Sequence, residues 1–236
     1  MLVDLCQVPA LNCDDNDWGS PDSNVPTKIA VDSRGYVYVI SGRYILEVTH
    51  QGQVSTGFDG MAHSASCTPH DLAVGIDRIF FTCGSKILVM WRDGQITHMA
   101  GMQTGCGIPA PDYEFGELQG IAVDSFGVIY VFDSFSNKLY RIHNNGLVEV
   151  VAGDGTWGEP ADGEVAIHQP LGSIQDIAIT PDGNPLLHSV NESSKLHELR
   201  KNGRIFTVLG GGGDTINMTD HKQELSRNIS MLVADI

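Results

Sequence analysis

Basic residues are scarce in this sequence. Lys and Arg number 14 against 29 Asp and Glu, which gives the 236 residues a formal net charge of −15. A surface of that sign repels a phosphate backbone, so we expect no nucleic-acid partner. The sequence also lacks any apolar run of about 18 residues, so it predicts no membrane-spanning helix.

Cysteine pairs with metal-binding or redox spacing are missing. None of the five cysteines forms a Cys-x-x-Cys motif, which excludes a zinc ribbon and a thioredoxin-type site. Cys6 with Cys13, or Cys67 with Cys83, would close short disulfide loops in an oxidising compartment. Free, buried thiols are an equal alternative, so the cysteines leave the compartment open.

Motifs of nucleophilic and phosphate chemistry are absent as well. The sequence contains no Gly-x-Ser-x-Gly, no Walker loop and no His-Glu-x-x-His. Long stretches of helical periodicity are missing too. We therefore predict no catalytic residue, and the fold has to be sought among strands and turns.

Glycine is abundant, with 27 residues, and much of it marks a four-fold internal repeat. Each unit opens with a short apolar run around a central alanine, at 29–31, 72–74, 121–123 and 177–179. A turn, a second strand and a third strand follow. The third strand ends in a hairpin signal at Gln51-Gly52, Asp93-Gly94, Asn145-Gly146 and Asn202-Gly203.

Four short antiparallel strands per unit predict the blades of an all-β propeller. First strands at the centre of a propeller are buried on both faces, which explains their continuous apolar runs. We place complete blades at about 26–60, 70–102, 118–155 and 174–212. A generic antiparallel sandwich is the alternative.

Residues 120–155, GIAVDSFGVIYVFDSFSNKLYRIHNNGLVEVVAGDG, resemble an NHL repeat. The other units match more loosely, and the similarity covers about 26–236. The resemblance implies an NHL-type propeller of five or six blades. It implies little about function, because members of that family bind protein, bind RNA or catalyse reactions. WD40 repeats are disfavoured, since no Trp-Asp dipeptide ends a unit.

The two ends of the sequence lie outside the four complete units. Residues 1–25 are expected to supply an N-terminal extension or ring-closing strand and an acidic loop. Residues 225–236 begin a fifth blade, and 229–236 read as its first strand. We expect further polypeptide or a partner chain to complete the propeller, because an open ring exposes apolar flanks.

Acidic residues at strand ends are candidates for a metal site. Asp32, Asp124, Asp133 and Asp176 are expected near one mouth of the propeller channel, where carboxylates could hold calcium. We predict no bound cofactor, with calcium as the candidate ion for these carboxylates. Capping of the Asp-Ser-x-Gly turns is the stronger alternative for Asp32 and Asp124.

His70 is a further candidate metal ligand. Its place before a first strand is similar to that of zinc-binding histidines in peptidylglycine amidating lyases, which are NHL-like propellers. The equivalent places in the other units are taken to be Lys28, Gly120 and Asp176, so three histidines are not assembled.

Three Asn-x-Ser/Thr sequons, the acidic charge and the cysteines together favour a secreted or organelle-lumenal protein. Asn191 and Asn217 fall in predicted loops and are the candidate glycosylation sites. Asn228 precedes an apolar strand and is a poorer acceptor.

Loops between blades carry the aromatic residues expected to contact a partner protein, namely Tyr113, Phe115 and Trp157, together with His168. The sequence therefore predicts a non-catalytic interaction or structural module that binds protein through these loops. The alternative is a hydrolase or lyase that uses calcium or zinc in the channel. An equal alternative for Phe115 and Trp157 is that they fold back over blade edges.

Overall fold

The computed structural model describes residues 25–62, 67–100, 115–190 and 194–210. In these ranges 16 β-strands and one short 3-10 turn, Ala166–His168, are present. The strands form four antiparallel sheets of four strands, each in sequence order. This confirms the predicted all-β architecture of four propeller blades. The expected strands in 1–24 and 225–236 lie outside the described residues.

The strands have the following bounds. The first blade contains β1 (Pro26–Val31), β2 (Val37–Ser41), β3 (Tyr44–Val48) and β4 (Val54–Asp59). The second contains β5 (Pro69–Val74), β6 (Arg78–Cys83), β7 (Lys86–Trp91) and β8 (Ile96–Ala100). The third contains β9 (Leu118–Val123), β10 (Ile129–Asp133), β11 (Lys138–Ile142) and β12 (Val148–Ala152). The fourth contains β13 (Ile174–Ile179), β14 (Pro185–Val190), β15 (Ser194–Leu199) and β16 (Ile205–Gly210).

Each hairpin between a third and a fourth strand closes on a left-handed glycine. The φ angles of Gly52, Gly94, Gly146 and Gly203 lie between 77° and 83°. In the last three hairpins the preceding Asp or Asn accepts a backbone N–H two residues on, at 3.0–3.1 Å. A left-handed glycine beside such an acceptor reverses the chain at low cost, so these pairs fix the strand register.

Blades pack on one another through the alanine of each first strand. Ala73 lies in one apolar cluster with Ile121 of the next blade, and Ala122 lies in another with Ile177. Blade backbones come close here: a Cβ on Gly120 would lie 3.0 Å from the Ile177 Cγ1 atom. A small side chain opposite a large one lets the first strands converge at the centre.

A β-bulge interrupts every first strand near its beginning. In each blade the register between the first and second strands shifts by one residue at this point. The shifts lie between Pro26 and Lys28, Pro69 and Leu72, Leu118 and Ile121, and Ile174 and Asp176. A bulge leaves an extra residue unpaired and re-aims its side chain. The same irregularity in four blades turns polar residues towards one shared space.

A disulfide joins Cys67, just before β5, to Cys83 at the end of β6, with Cα atoms 5.7 Å apart. Cys83 is buried in the apolar cluster between the first two blades. The other cysteine pair named above, Cys6 with Cys13, lies outside the described residues.

The connection from the third blade to the fourth covers the outer edge of the fourth. Gly163 donates its N–H to the Ile205 carbonyl at 2.8 Å, and the Ile205 N–H donates to the Glu164 carbonyl at 3.0 Å. This pairing satisfies an edge strand that would otherwise be exposed. Among the described residues there is no helix with the length and apolarity needed to cross a bilayer.

Candidate functional site

The four bulges surround a polar cavity of about 460 Å³ at the centre of the blades, where the first strands begin. Every described blade contributes to its wall. The lining residues are Thr27, Lys28, His70, Asp71, Gln119, Gln175, Asp176 and His188. Amides, carboxylates, imidazoles and one ammonium group therefore converge on one small space.

Lys28 connects three blades across this cavity. Its ammonium nitrogen lies 3.0 Å from a carboxylate oxygen of Asp176 in the fourth blade. The same nitrogen lies 3.5 Å from Asp71 in the second blade and donates to the Gln175 carbonyl at 3.4 Å. The ammonium thus occupies the position between two carboxylates where a bound cation would otherwise neutralise them.

Asp71 is the buried member of this group, with 4% of its surface exposed. Its carboxylate accepts the backbone N–H groups of Leu72 and of Ile121 in the third blade, each at 2.9 Å. Burial raises the pKa of Asp71 to about 6, although Lys28 and the two N–H donors act in the opposite direction. Removal from water therefore has the largest influence on the pKa of this carboxyl group.

This raised pKa predicts a pH dependence of stability. The folded chain keeps the Asp71 proton up to about pH 6, whereas the unfolded chain releases it near 3.8. Between these values the contribution of Asp71 to the free energy of unfolding falls as pH rises, by about 3 kcal/mol in total at 1.36 kcal/mol per pKa unit. Urea unfolding from pH 4 to 7 should show this fall as a difference between wild type and Asp71→Asn. Parallel pH profiles for the two proteins would contradict the assignment.

Metal-ligand geometry is not formed around the cavity. Within the described residues no group of three or more His, Cys, Asp or Glu could hold a metal ion. The strand register also corrects the predicted counterparts of His70 in the other blades. His70 follows Pro69 in the same way that Thr27 follows Pro26. The residues equivalent to His70 are therefore Thr27, Gln119 and Gln175. Lys28 is the counterpart of Asp71.

The predicted ring of aspartates at one mouth is also corrected. Asp32 and Asp124 follow the ends of β1 and β9, whereas Asp176 lies near the start of β13. Asp133 pairs with the first residue of β9 and so lies at that same starting end. A six-residue strand separates the two ends by about 16 Å, because strands rise about 3.3 Å per residue.

Turn capping accounts for the carboxylates at the far end. Asp32 accepts the backbone N–H groups of Arg34 and Tyr36 at 2.9 Å, and Arg92 of the second blade lies 3.2 Å away. Burial raises the pKa of Asp32, but these hydrogen bonds outweigh it and hold the pKa below its ordinary value. Asp124 likewise accepts two backbone N–H groups of its own turn at 2.9 Å.

Asp133 fixes a loop that presents an aromatic side chain. Its buried carboxylate accepts the N–H groups of Gly116 at 2.9 Å, Phe135 at 3.0 Å and Ser136 at 3.3 Å. Phe135 lies between β10 and β11 and is 85% exposed. Phe135 is thus an exposed aromatic residue on a backbone that several hydrogen bonds hold in place. It is a candidate residue for contact with another molecule.

Trp157 is presented in a similar way by the connection between β12 and β13. It is 62% exposed. The preceding Thr156 donates both its N–H and its hydroxyl to Asp154, at 2.8 and 2.7 Å. Glu159, two residues later, lies 3.1 Å from the Lys195 ammonium group. The backbone on both sides of the indole is therefore held in place.

The loops of Phe135 and Trp157 lie against each other. A Cβ on Gly153 would lie 2.2 Å from the Asn137 carbonyl oxygen, and a Cβ on Gly155 would lie 3.7 Å from that of Ser136. Both loops belong to the end of the blades at which the first strands begin. We call this surface, residues 134–137 and 153–157, the aromatic face.

Other residues predicted to contact a partner differ in exposure. Phe115 is buried, with its ring edge-on to Tyr140 at a centroid distance of 5.2 Å, so it belongs to the core. His168 is exposed. Tyr113 lies outside the described residues, as do the sequon residues Asn191 and Asn217. Sequence analysis missed Phe135; the signal was an aromatic residue between two serines directly after a strand.

No family model matches the chain. Two curated relatives are teneurins: Teneurin-3 of Danio rerio is 26% identical over 144 residues, and Teneurin-1 of Mus musculus is 22% identical over 214 residues. These matches cover 50% and 73% of this chain but only 5% and 8% of the relatives. The chain is thus similar to a small part of much longer proteins.

Solved structures support the propeller fold. A virginiamycin B lyase from Staphylococcus aureus superposes with a TM-score of 0.55 at 18% identity, over 80% of this chain and 57% of that one. A luciferin-regenerating enzyme gives a TM-score of 0.56 at 9% identity, over 80% of this chain and 63% of that one. At such identities the likeness concerns the fold alone.

Proposed function

We propose that this chain is a non-catalytic protein-interaction module on an NHL-like propeller, and that it binds a partner protein through the aromatic face. The observation that carries the proposal is the exposure of Phe135 and Trp157, at 85% and 62%, on two loops in mutual contact. Aromatic residues are enriched at protein–protein interfaces, and tryptophan is among the residues that most often carry the binding energy.

Preorganisation is the second argument. Asp133 and Asp154 hold the two loops by hydrogen bonds to backbone N–H groups. Ordering of loops and side chains is part of the free-energy cost of association, so loops that are already fixed bind more tightly.

Charge indicates the character of the partner. Asp154, Glu159 and Asp162 lie in the connection that carries Trp157, and the whole chain has a net charge of −15. Complementary charge speeds encounter and selects the correct partner. We therefore propose a partner surface that combines basic residues with an apolar pocket.

The cavity at the centre argues against the alternative of a calcium- or zinc-dependent hydrolase or lyase. Lys28 already neutralises Asp71 and Asp176, at 3.5 and 3.0 Å. A divalent cation would have to displace this ammonium group. The residues present therefore do not fit such a metal site.

An oxidising compartment suits the module. The disulfide between Cys67 and Cys83 persists in secreted or organelle-lumenal surroundings. We accordingly propose secretion or lumenal residence, with Asn191 and Asn217 as glycan acceptors. The matches to small parts of teneurins support a role as one domain within a longer protein.

A library of random peptides displayed on phage provides the probe. We expect panning on the immobilised wild-type chain to enrich peptides that contain basic and aliphatic residues. Trp157→Ala and Phe135→Ala should each weaken binding of a synthetic copy of such a peptide about 30-fold, which corresponds to a hot-spot loss of about 2 kcal/mol.

Phe126→Ala is the matched control. Phe126 is 80% exposed but lies in the turn after β9, at the opposite end of the blades. Its removal should change the dissociation constant less than twofold. Failure of panning to yield any binder that depends on Trp157 or Phe135 would refute the proposal.

A further inference from the structure

One flank of the fourth blade has the residue pattern of a blade interface. In each of the first three blades an alanine of the first strand pairs in register with a tyrosine or phenylalanine of the second, and both face the next blade. These pairs are Ala30 with Tyr38, Ala73 with Phe80, and Ala122 with Tyr130. The three aromatic side chains are 1%, 6% and 7% exposed.

A third position completes the pattern. The side chain of the second residue in each of the first three third strands points to the same side of the sheet as these pairs. These residues are Ile45, Ile87 and Leu139, and all three are 0% exposed. Alanine, aromatic ring and branched aliphatic side chain therefore form a column that the following blade covers. Their burial is due to that blade, because the column faces away from the preceding one.

The fourth blade carries the same column with less cover. Ala178 pairs with Leu186 in the same register, and Leu196 occupies the third position. Ala178 is exposed, and Leu186 and Leu196 are only half-buried. Ile177, the neighbour of Ala178, is buried against the third blade, so Ala178 points to the opposite side.

The three existing interfaces specify what covers such a column. At each of them the alanine shares an apolar cluster with the large aliphatic residue of the next first strand, namely Leu72, Ile121 or Ile177. The fitting occupant is therefore another first strand with a large aliphatic residue at that position.

We infer that residues 229–236, ISMLVADI, form the first strand of a further blade on this flank, with Leu232 over Ala178. In this alignment Ile229 corresponds to Ile174, Leu232 to Ile177, and Asp235 falls at the turn position of Asp124. The inference concerns the continuation of the propeller and is independent of the proposed function.

Spacing along the chain agrees with this assignment. The fourth strand of one blade and the first strand of the next are 10, 18 and 22 positions apart at the three existing connections. Ile229 follows Gly210, the last residue of β16, by 19 positions. A connection of that length matches those that already join neighbouring blades.

Substitution of Ala178 by arginine in the full chain tests the inference. A covered Ala178 makes the introduced charge buried and unpaired, so Ala178→Arg should lower the midpoint of thermal unfolding by roughly 10 °C. Ala122→Arg is the buried reference. Ala62→Arg, at an exposed alanine, should shift the midpoint by no more than about 2 °C.

Leu232 provides the second arm. Leu232→Asp should lower the midpoint by a similar amount, and its combination with Ala178→Arg should add little, because the two changes disrupt one contact. Should Ala178→Arg not fold, Ala178→Leu takes its place, and Leu232→Ala should restore part of its lost stability by making room.

Three results would overturn the inference. An unchanged midpoint for Ala178→Arg means that nothing covers the flank. Full additivity with Leu232→Asp means that a different segment covers it. A midpoint that rises with protein concentration, together with a dimer in sedimentation, means that a second copy of the chain is the occupant.

Discussion

Lys28→Met should lower the free energy of unfolding at pH 7.5 by about 3–5 kcal/mol, because it leaves the Asp71 carboxylate buried without its cation. Among the ion pairs of the described residues, Lys28 is the only residue of the first blade that pairs with carboxylates of both the second and the fourth blade. Its loss therefore removes a link across the centre as well as a charge. Urea unfolding followed by far-UV circular dichroism measures the effect.

The size of this loss should depend on pH. At about pH 4.5 Asp71 is mostly protonated in the folded chain, since its pKa is raised to about 6, and Lys28→Met should then cost much less. Lys28→Met combined with Asp71→Asn should be more stable than Lys28→Met alone at pH 7.5, because no unpaired carboxylate remains.

Lys195→Met is the matched control. Lys195 lies 3.1 Å from Glu159 and is 21% exposed, much as Lys28 is at 24%, but Glu159 is 34% exposed whereas Asp71 is 6% exposed, so water screens the pairing of Lys195 with Glu159. Its removal should cost less than about 1 kcal/mol. Equal losses for the two lysine variants would show that Lys28 has no special role at the centre.

Local chemistry made much of the fold predictable. Asn-Gly and Asp-Gly pairs such as Asn145-Gly146 form the expected left-handed hairpin turns. The alanines at the middle of the first strands lie where neighbouring blades converge. Both features depend on residues close in sequence, so four repeats of the pattern were enough to indicate four blades.

The central cavity was harder to predict because it depends on bulges and on distant pairing. Counting back from the central alanines already makes Asp71, and not His70, the counterpart of Lys28. No local pattern shows that the bulges turn both side chains into one cavity. The ion pair between Lys28 and Asp176 joins residues 148 positions apart in the sequence, which only the arrangement of blades brings together.

Exposure of loop aromatics was equally difficult to predict. Phe115 directly precedes the third blade and Phe135 lies in a loop within it, and both occur in polar segments. Phe115 packs beside Tyr140 in the core, whereas Asp133 holds the backbone of Phe135 so that its ring faces solvent. Asp133 also accepts the N–H of Gly116, next to Phe115, so one carboxylate holds the backbone beside both rings. The direction of each ring depends on tertiary contacts, which composition and periodicity do not reveal.

Gly153→Ala should disrupt the aromatic face and destabilise the chain by about 3 kcal/mol or more. Gly153 has a φ of 93°, which costs a non-glycine residue about 1–2 kcal/mol. An added Cβ would also lie 2.2 Å from the carbonyl oxygen of Asn137, so one of the two loops has to move. Because these loops carry Phe135 and Trp157, binding of a panned peptide should weaken at least tenfold even where the chain remains folded.

Gly203→Ala separates the two causes of this effect. Gly203 has a φ of 77°, similar to that of Gly153, but nothing lies within 4 Å of the place that a Cβ would occupy. Its substitution should therefore cost only the conformational part, about 1–2 kcal/mol, and leave peptide affinity unchanged. If Gly153→Ala costs no more than Gly203→Ala and binds peptide like the wild type, the contact between the two loops does not hold the aromatic face in place.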